Sequence, residues 1–216
     1  MKPVTLFGLE ISVYTRIARL ALEEKDIPYT FHEVEIFGPN GVPAEHLVRH
    51  PFGRIPVLQH GAFSLYETAA ITRYVDEAFP GPCLQPREPE TRARMNQLIG
   101  VLDSYAYRPM VWGVFVQWVR IQKSGDTPNE QEASSALATS EKCLVALEQF
   151  TRPGAFLVGE QISLADLHAF PILRYLSLAP EGLALLSKYP LLNSWLRSML
   201  LRQSVLRTGS PYEAEK

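Results

Sequence analysis

Two segments of the first third of the chain combine residue types that suit a small polar ligand. Ser12 lies in GLEISVYTR between a predicted strand and a predicted helix, at the carboxyl end of a strand, where ligands of open α/β sheets bind. Glu67 and Thr68 open a later predicted helix, whose N–H groups attract a carboxylate while the Glu67 side chain attracts an ammonium group. The pair therefore suits an α-amino acid group, although simple helix capping is the alternative for all three residues. No GxSxG sequence is present, which argues against a hydrolase-type serine nucleophile.

Pro56 stands at the start of a predicted hairpin, with strands over residues 55–59 and 63–66. Proline donates no hydrogen bond to a sheet and is confined to a first strand position, an edge or a bulge. A cis Ile55–Pro56 bond would turn the Ile55 backbone outward, free to pair with an extended ligand. An ordinary trans proline at a sheet edge is the alternative.

Three other sequence patterns each have a structural explanation and a functional one. His46 and His50 have the i, i+4 spacing of a metal pair, but no third ligand and no HExxH sequence accompany them, which favours a solvated short helix and no metal site. In ISLADL, Ser163 and Asp166 fit a capping box, with a catalytic role for Asp166 as the less favoured alternative.

An aromatic stripe on one later helix fits either a core or an apolar ligand cleft; its members are Tyr105, Tyr107, Trp112, Phe115 and Trp118.

The order of predicted elements in residues 1–80 is βαβαββα, which implies at least one parallel strand pair. Four prolines in PGPCLQPREPE predict a linker over residues 81–90. Residues 91–216 are helical in pattern, with a kink at Pro109, a next helix starting at Pro128 and a frayed tail from residue 207. We therefore expect an α+β domain, a linker and an all-α helical-bundle domain.

The bulk composition excludes several classes of protein. The chain has 216 residues, 46% of them hydrophobic, and a net charge of −2, so it has no general attraction to nucleic acid or to anionic membranes. No apolar run reaches the roughly 18 residues of a membrane span, and the N-terminus lacks a secretory signal. Cys83 and Cys143 have neither CxxC nor zinc-type spacing, which favours a cytoplasmic protein with reduced thiols.

Together, three stretches of sequence resemble the cytosolic glutathione transferases, most closely their serine-type phi and theta-like branches in a bacterial-type variant. They are LFGLEISVYTRIARLALEEKDIPY, HPFGRIPVLQHGAFSLYETAAITRYV and GEQISLADL. The resemblance covers nearly the whole chain. It implies a thioredoxin-like N-terminal domain that binds glutathione as co-substrate without a metal. It also implies a helical domain with a hydrophobic substrate cleft, and a homodimer active in detoxification.

Within this resemblance, Ser12 matches the residue whose hydroxyl binds the glutathione sulfur, and Pro56 matches the cis-proline. Ile55 matches the residue that pairs with the cysteinyl part, and Glu67 and Thr68 match the pair that holds the γ-glutamyl group. Arg54 replaces a usual glutamine and would add a cation beside a glutathione carboxylate. The implied hydrophobic cleft is built by Tyr105, Tyr107, Met110, Trp112 and Phe115.

The resemblance has two departures and leaves alternatives open. The loop FGPNGVP lacks the histidine–lysine type pair expected near the glycyl carboxylate, and His50 replaces an asparagine before Pro51. The expected activity is transfer of glutathione to a hydrophobic electrophile. The alternatives are a non-catalytic binding or interaction protein of the same fold, or a glutathione-dependent isomerase, peroxidase or dehalogenase.

Overall fold

A computed structural model describes residues 2–151 and 156–213. The chain forms two compact units, one of Met1–Leu84 with Arg202–Lys216 and the other of Gln85–Leu201. The C-terminal segment from Arg202 thus packs with the first unit, whereas the sequence pattern groups it with the helical domain of residues 91–216. Within the described ranges, no helix is both long and apolar enough to cross a membrane.

The first unit is built on a four-stranded mixed sheet, as the order of elements predicts. Its strands and helices are β1 (Val4–Gly8), α1 (Val13–Glu24), β2 (Thr30–Glu33), α2 (Ala44–Arg49), β3 (Val57–His60), β4 (Phe63–Tyr66) and α3 (Thr68–Ala78). The strand order is β2-β1-β3-β4, with β1 parallel to β2 and the other two pairs antiparallel. This is the α+β arrangement with one parallel pair that the sequence indicates.

Strand β2 is shorter than the sequence predicts, because it loses its pairing partner. The alternating pattern continues to Ile36, but Glu33 already pairs with Gly8, the last residue of β1. One further hydrogen bond, from the Val34 N–H to the Gly8 carbonyl, closes the ladder at 2.9 Å. Val34 then packs with Phe7 and Val57 in a small apolar cluster under this end of the sheet.

Helix α1 forms because its apolar residues recur at helical spacing and are buried together. Ile17, Leu20 and Ala21 are fully buried, and the helix packs against α3. At its C-terminal end Lys25 is buried, and its ammonium group donates to the Asp76 carboxylate at 3.1 Å and to two carbonyls. These bonds fix the end of α1 against the end of α3.

The C-terminal segment is ordered, which corrects the prediction of a frayed tail. Helix α10 (Gln203–Arg207) packs against α1, and a 3₁₀ turn follows at Pro211–Glu213. Arg16 of α1 is buried and forms a salt bridge with Glu213 at 2.5 Å. Because its charges and its apolar face are matched on α1, this segment belongs to the first unit. Residues 214–216 lie outside the described ranges.

Among its described residues, 85–151 and 156–201, the second unit contains helices and one isolated β-bridge as its regular structure. It contains α4 (Pro89–Val101), two π-helical stretches (Leu102–Ala106 and Arg108–Ile121), α5 (Gln122–Ser124), α6 (Glu130–Phe150), α7 (Leu164–Leu178), α8 (Pro180–Leu186) and α9 (Pro190–Leu200). The wider π-helical turns lie on both sides of Pro109, which has no N–H for an α-helical hydrogen bond.

Two helix starts differ from the predicted positions because polar side chains cap them. The predicted start of α6 at Pro128 is wrong, since Asn129 is the N-cap and its side chain accepts from the Glu132 N–H at 3.1 Å. Helix α4 starts at Pro89 because the Glu88 carboxylate caps it, so the predicted linker of residues 81–90 ends inside a helix.

Candidate functional site

The register of the sheet brings the ligand-binding candidates of the first unit to one end of the sheet. Phe7 of β1 pairs with Val57 of β3, and Val57 pairs with Tyr66 of β4. Ser12 follows the end of β1, Ile55 and Pro56 precede β3, and Glu67 and Thr68 follow β4. Since β1 and β4 are both antiparallel to β3, all these residues lie at the same end of the sheet.

Ser12 is the N-cap of α1 and has extended backbone geometry. Its Oγ accepts a hydrogen bond from the Thr15 N–H at 3.2 Å, and its carbonyl accepts from the Arg16 N–H at 2.9 Å. Gly8 must be glycine here, because a Cβ would overlap the Thr15 side chain that packs on it. The capping interpretation of Ser12 is thus correct, and it leaves the hydroxyl hydrogen to donate to a ligand.

The segment before β3 is shaped by a cis peptide bond and by a buried histidine. The Ile55–Pro56 bond is cis, and Pro56 precedes the strand instead of opening it. The His46 side chain is fully buried, and its Nε2 lies 2.7 Å from the Arg54 carbonyl oxygen. His46 therefore fixes the backbone immediately before the Ile55–Pro56 bond, while the Arg54 side chain is exposed.

Glu67 has a backbone conformation that only a few non-glycine residues adopt. Its φ is 71° and its ψ is 113°, and its carbonyl accepts from the Ala70 and Ile71 N–H groups at 2.9 Å. The exposed carboxylate makes no capping hydrogen bond to α3. Strain of this kind costs on the order of 1–3 kcal/mol and concentrates at ligand sites. Side-chain capping by Glu67 is therefore wrong, and its carboxylate is available for a cation. Thr68 is buried at the first turn of α3.

His50 is a second buried histidine near this end of the sheet. The expectation that the two histidines lie on a solvated helix is therefore wrong. Its side chain is buried, and its ring centroid lies 4.5 Å from that of Tyr66 and 6.1 Å from that of Phe52. Burial lowers the pKa of His50, while the nearby Glu67 carboxylate acts in the opposite direction. Sequence reasoning missed both histidines as supports of the site; the one signal for them was their shared helix face.

The described residues contain no group of three or more His, Cys, Asp or Glu side chains that could hold a metal ion. The polar groups at this end of the sheet are instead hydroxyl, carboxylate and backbone groups. Such groups recognise a zwitterionic or peptide-like ligand by hydrogen bonds and charge.

The aromatic residues of the second unit divide into two groups. Tyr105 and Trp112 are exposed and line a cavity of about 970 Å³ beside Ala136 and Cys143 of α6. The Trp112 indole donates to the Tyr107 hydroxyl at 3.0 Å.

The other two predicted cleft residues lie in the core. Met110 is fully buried, and the Phe115 ring stacks on that of Tyr175 at 4.1 Å. Of the five predicted cleft residues, Tyr105 and Trp112 therefore offer surface to a ligand, whereas Met110 and Phe115 do not.

Asp166 has a structural role, as the capping-box pattern predicts. The box is formed, and Asp166 Oδ2 accepts from the Ser163 N–H and hydroxyl, both at 2.8 Å. Asp166 Oδ1 accepts from the Leu157 N–H at 2.9 Å and from the Trp195 indole at 2.8 Å. Burial raises the pKa of the Asp166 carboxyl, and these hydrogen bonds oppose the shift. The sequence pattern predicts the Ser163 contacts, but it gives no sign of Trp195.

Comparisons with known proteins identify a family for both units of the chain. The family model "Glutathione S-transferase, N-terminal domain" matches residues 6–83, and the model "Glutathione S-transferase, C-terminal domain" matches residues 92–202. Glutathione S-transferase 4 of Zea mays is 28% identical over 220 residues, which cover 98% of each chain. Glutathione S-transferase F13 of Arabidopsis thaliana is 26% identical over 206 residues, or 94% of each chain.

Solved structures show the same similarity. A structure of glutathione S-transferase-I bound with lactoylglutathione has a TM-score of 0.81 and 27% sequence identity to this chain. The superposition covers 95% of this chain and 98% of that one. The similarity therefore extends over both units.

Proposed function

The chain belongs to the glutathione S-transferase family, and we propose that it transfers glutathione to hydrophobic electrophiles with Ser12 as the group that stabilises the thiolate. The observation that carries this proposal is the convergence of Ser12, Ile55 and Glu67 at one end of the sheet. A hydroxyl, a backbone N–H and C=O that can pair with an extended peptide, and a carboxylate are the groups that a γ-glutamyl tripeptide with a thiol would require. The lactoylglutathione bound to a relative supports the choice of ligand.

Each part of glutathione has a proposed partner in the first unit. The exposed Glu67 carboxylate binds the γ-glutamyl ammonium group, and the N-terminus of α3 with Thr68 binds the adjoining carboxylate. The backbone of Ile55 pairs with the cysteinyl residue as an added strand. The exposed Arg54 contributes a cation beside a glutathione carboxylate, which offsets the absence of basic side chains in residues 37–43.

The chemistry required of Ser12 is modest in energy. A free thiol has a pKa near 8.5, and lowering it by two units requires about 2.7 kcal/mol of preferential thiolate stabilisation. One hydrogen bond to a charged acceptor supplies roughly 1.5–3 kcal/mol. The N-terminus of α1, which Ser12 caps, adds about 0.3–1 kcal/mol. A neutral hydroxyl is therefore sufficient without a general base.

We further propose that the second substrate is a hydrophobic electrophile, and that the protein acts as a homodimer in the cytoplasm. The apolar surface of Tyr105 and Trp112 in the helical unit supports a hydrophobic second substrate. The thiolate attacks the electrophilic carbon, the carbon–sulfur bond forms, and the leaving group departs with the electron pair of the broken bond. Isomerisation, peroxide reduction and dehalogenation would begin from the same thiolate, so a panel of electrophiles distinguishes these activities.

Calorimetric titration with glutathione and a conjugation assay with an aryl halide test this function. We expect binding and turnover by the native protein. Glu67→Gln should weaken glutathione binding by roughly tenfold or more, because it removes a charge-assisted hydrogen bond of about 1.5–3 kcal/mol. The same variant should bind a glutathione analogue without the α-amino group as well as the native protein does.

Glu77→Gln is the matched control, since Glu77 lies at the other end of α3. It removes an equal charge and should leave both affinities unchanged. Native protein that binds no glutathione would refute the proposed function and favour a non-catalytic member of the fold. An equal loss of affinity for both ligands in Glu67→Gln would refute only the role of Glu67.

A further inference from the structure

The loop between α2 and β3 is held by two buried histidines, one near each end. His50 directly follows α2 and is 2% exposed, and its Nδ1 accepts a hydrogen bond from the Phe52 N–H at 3.4 Å. The His46 Nε2 lies 2.7 Å from the Arg54 carbonyl oxygen. Because a backbone N–H only donates, the Nδ1 that faces it carries no proton, and His50 is neutral in this arrangement. Neutral His50 therefore supports the loop that leads to Ile55.

His50 also lies against the strand that ends just before Glu67. Its ring centroid is 4.5 Å from that of Tyr66, the last residue of β4, and Glu67 follows directly in the chain. Burial of the ring lowers the pKa of His50, whereas the Glu67 carboxylate acts in the opposite direction by favouring an imidazolium. Glu67 is the residue that we assign to the γ-glutamyl ammonium group. An imidazolium at His50 and this ammonium group would therefore compete for one carboxylate.

We propose that His50 is a positioning residue of the glutathione site, and that glutathione binds preferentially to the protein in which His50 is neutral. This inference rests on the proposed function. Protonation of Nδ1 would replace the hydrogen bond from the Phe52 N–H by two opposed N–H groups, and the imidazolium charge would attract the Glu67 carboxylate. Both changes disfavour the ligand, and neither requires that His50 touch it.

The other charged and titratable groups that face His50 have different effects. Arg54 and His46 both disfavour a positive charge on His50 and thus act in the same direction as burial. The His46 Nε2 faces a carbonyl oxygen, which only accepts, so this bond exists whether or not His46 is protonated. Of the two histidine contacts to the loop, only the one at His50 is therefore lost on protonation. Strand β4, which packs against α2, carries no charged residue. The charged residues of α2 besides His46 are Glu45 and Arg49.

Calorimetric titration with S-methylglutathione at several pH values tests this inference. The methyl group replaces the thiol proton, and the other groups of this ligand titrate mainly outside the range from about pH 5 to pH 7. We expect the affinity to fall by roughly 3- to 10-fold from about pH 7 to about pH 5, because His50 must lose its proton before the ligand binds. Binding at the lower pH should also release protons, which buffers of different ionisation enthalpy detect.

Two variants assign the effect to His50. His50→Asn keeps an acceptor for the Phe52 N–H but cannot be protonated, so its affinity should be equal at both pH values and its binding should release no proton. His60→Asn is the matched control, because it removes a histidine from the opposite end of β3 and should keep the native pH dependence. Should His50→Asn fail to fold, an NMR titration of the native imidazole decides, since S-methylglutathione should lower the His50 pKa by about 0.5–1 unit.

Two results would overturn the inference. Equal affinity of the native protein for S-methylglutathione at both pH values would mean that protonation of His50 does not act on the site. A native pH dependence in His50→Asn would mean that another group titrates, and that His50 has only a structural role. Failure of the proposed function is distinguishable from both, because native protein would then bind no S-methylglutathione at any pH.

Discussion

Replacing Ser12 by alanine tests the proposed chemistry most directly, and two separate effects follow from the structure. The variant removes the hydroxyl donor, so the bound thiolate loses about 1.5–3 kcal/mol and its pKa should rise by roughly 1–2 units. At pH 6.5, near the thiol pKa expected for the native site, the thiolate fraction and with it the rate should fall by about 5- to 50-fold. The variant also removes the 3.2 Å bond to the Thr15 N–H, and loss of such an N-cap costs about 1 kcal/mol of stability.

The two effects can be separated by the choice of variants. Ser12→Gly lacks the hydroxyl but costs a helix cap only a few tenths of a kcal/mol, so its rate should fall as far as in Ser12→Ala at a smaller loss of stability. Ser12→Thr keeps both functions and should retain the native thiol pKa. The assays are the pH dependence of kcat/KM for conjugation and urea unfolding. A pH–rate profile that stays native in both Ser12→Ala and Ser12→Gly would refute the role of Ser12.

Two further predictions concern buried groups. Asp166→Ala leaves the N–H groups of Leu157, Ser163 and Trp195 without their acceptor, so the free energy of unfolding in urea titrations should fall by about 3–5 kcal/mol. Ser163→Ala removes only the cap and should cost about 1 kcal/mol. Equal losses in the two variants would contradict the role of Asp166 as acceptor of four hydrogen bonds. The pKa of His50 is lower in the folded protein than in the unfolded protein, so between these two pKa values the unfolded protein binds a proton at His50 that the folded protein does not. The contribution of neutral His50 to the free energy of unfolding is therefore fully present above about pH 6.5, and it falls as the pH decreases toward the folded-state pKa. His50→Asn should flatten this part of the stability–pH curve, and parallel curves for both proteins would contradict it.

The sequence predicts the parts of this protein that local rules control. Alternation and turn residues place β4 at Phe63–Tyr66 and α2 at Ala44–Arg49, as the structure has them. The pattern at Ser163 and Asp166 predicts a capping box because all of its groups lie within one helical turn. Ser12 is a cap for the same local reason. The fold class follows from the order of these elements.

What the sequence does not predict depends on contacts between distant residues. The end of β2 is set by the end of β1, some 25 residues earlier in the chain. The sequence pattern predicts an exposed His46 on a short helix, because it does not show that the His46 Nε2 reaches the Arg54 carbonyl oxygen. Likewise, a polar tail predicts fraying, but the Glu213 carboxylate pairs with the buried Arg16, 197 positions earlier in the chain.

The position of Ser12 at the N-terminus of α1 is the reason that we propose a neutral hydroxyl as sufficient there. A general base would be needed if the thiol lay among anions, and an isolated cation would make the thiolate stable but less nucleophilic. Behind the helix N-terminus, the Arg16 guanidinium instead forms a salt bridge with the Glu213 carboxylate. On the proposed function the thiol pKa then depends mainly on short-range donors, and the Ser12 hydroxyl is the donor that we assign to the sulfur. Loss of that hydroxyl should therefore not be compensated by the rest of the first unit.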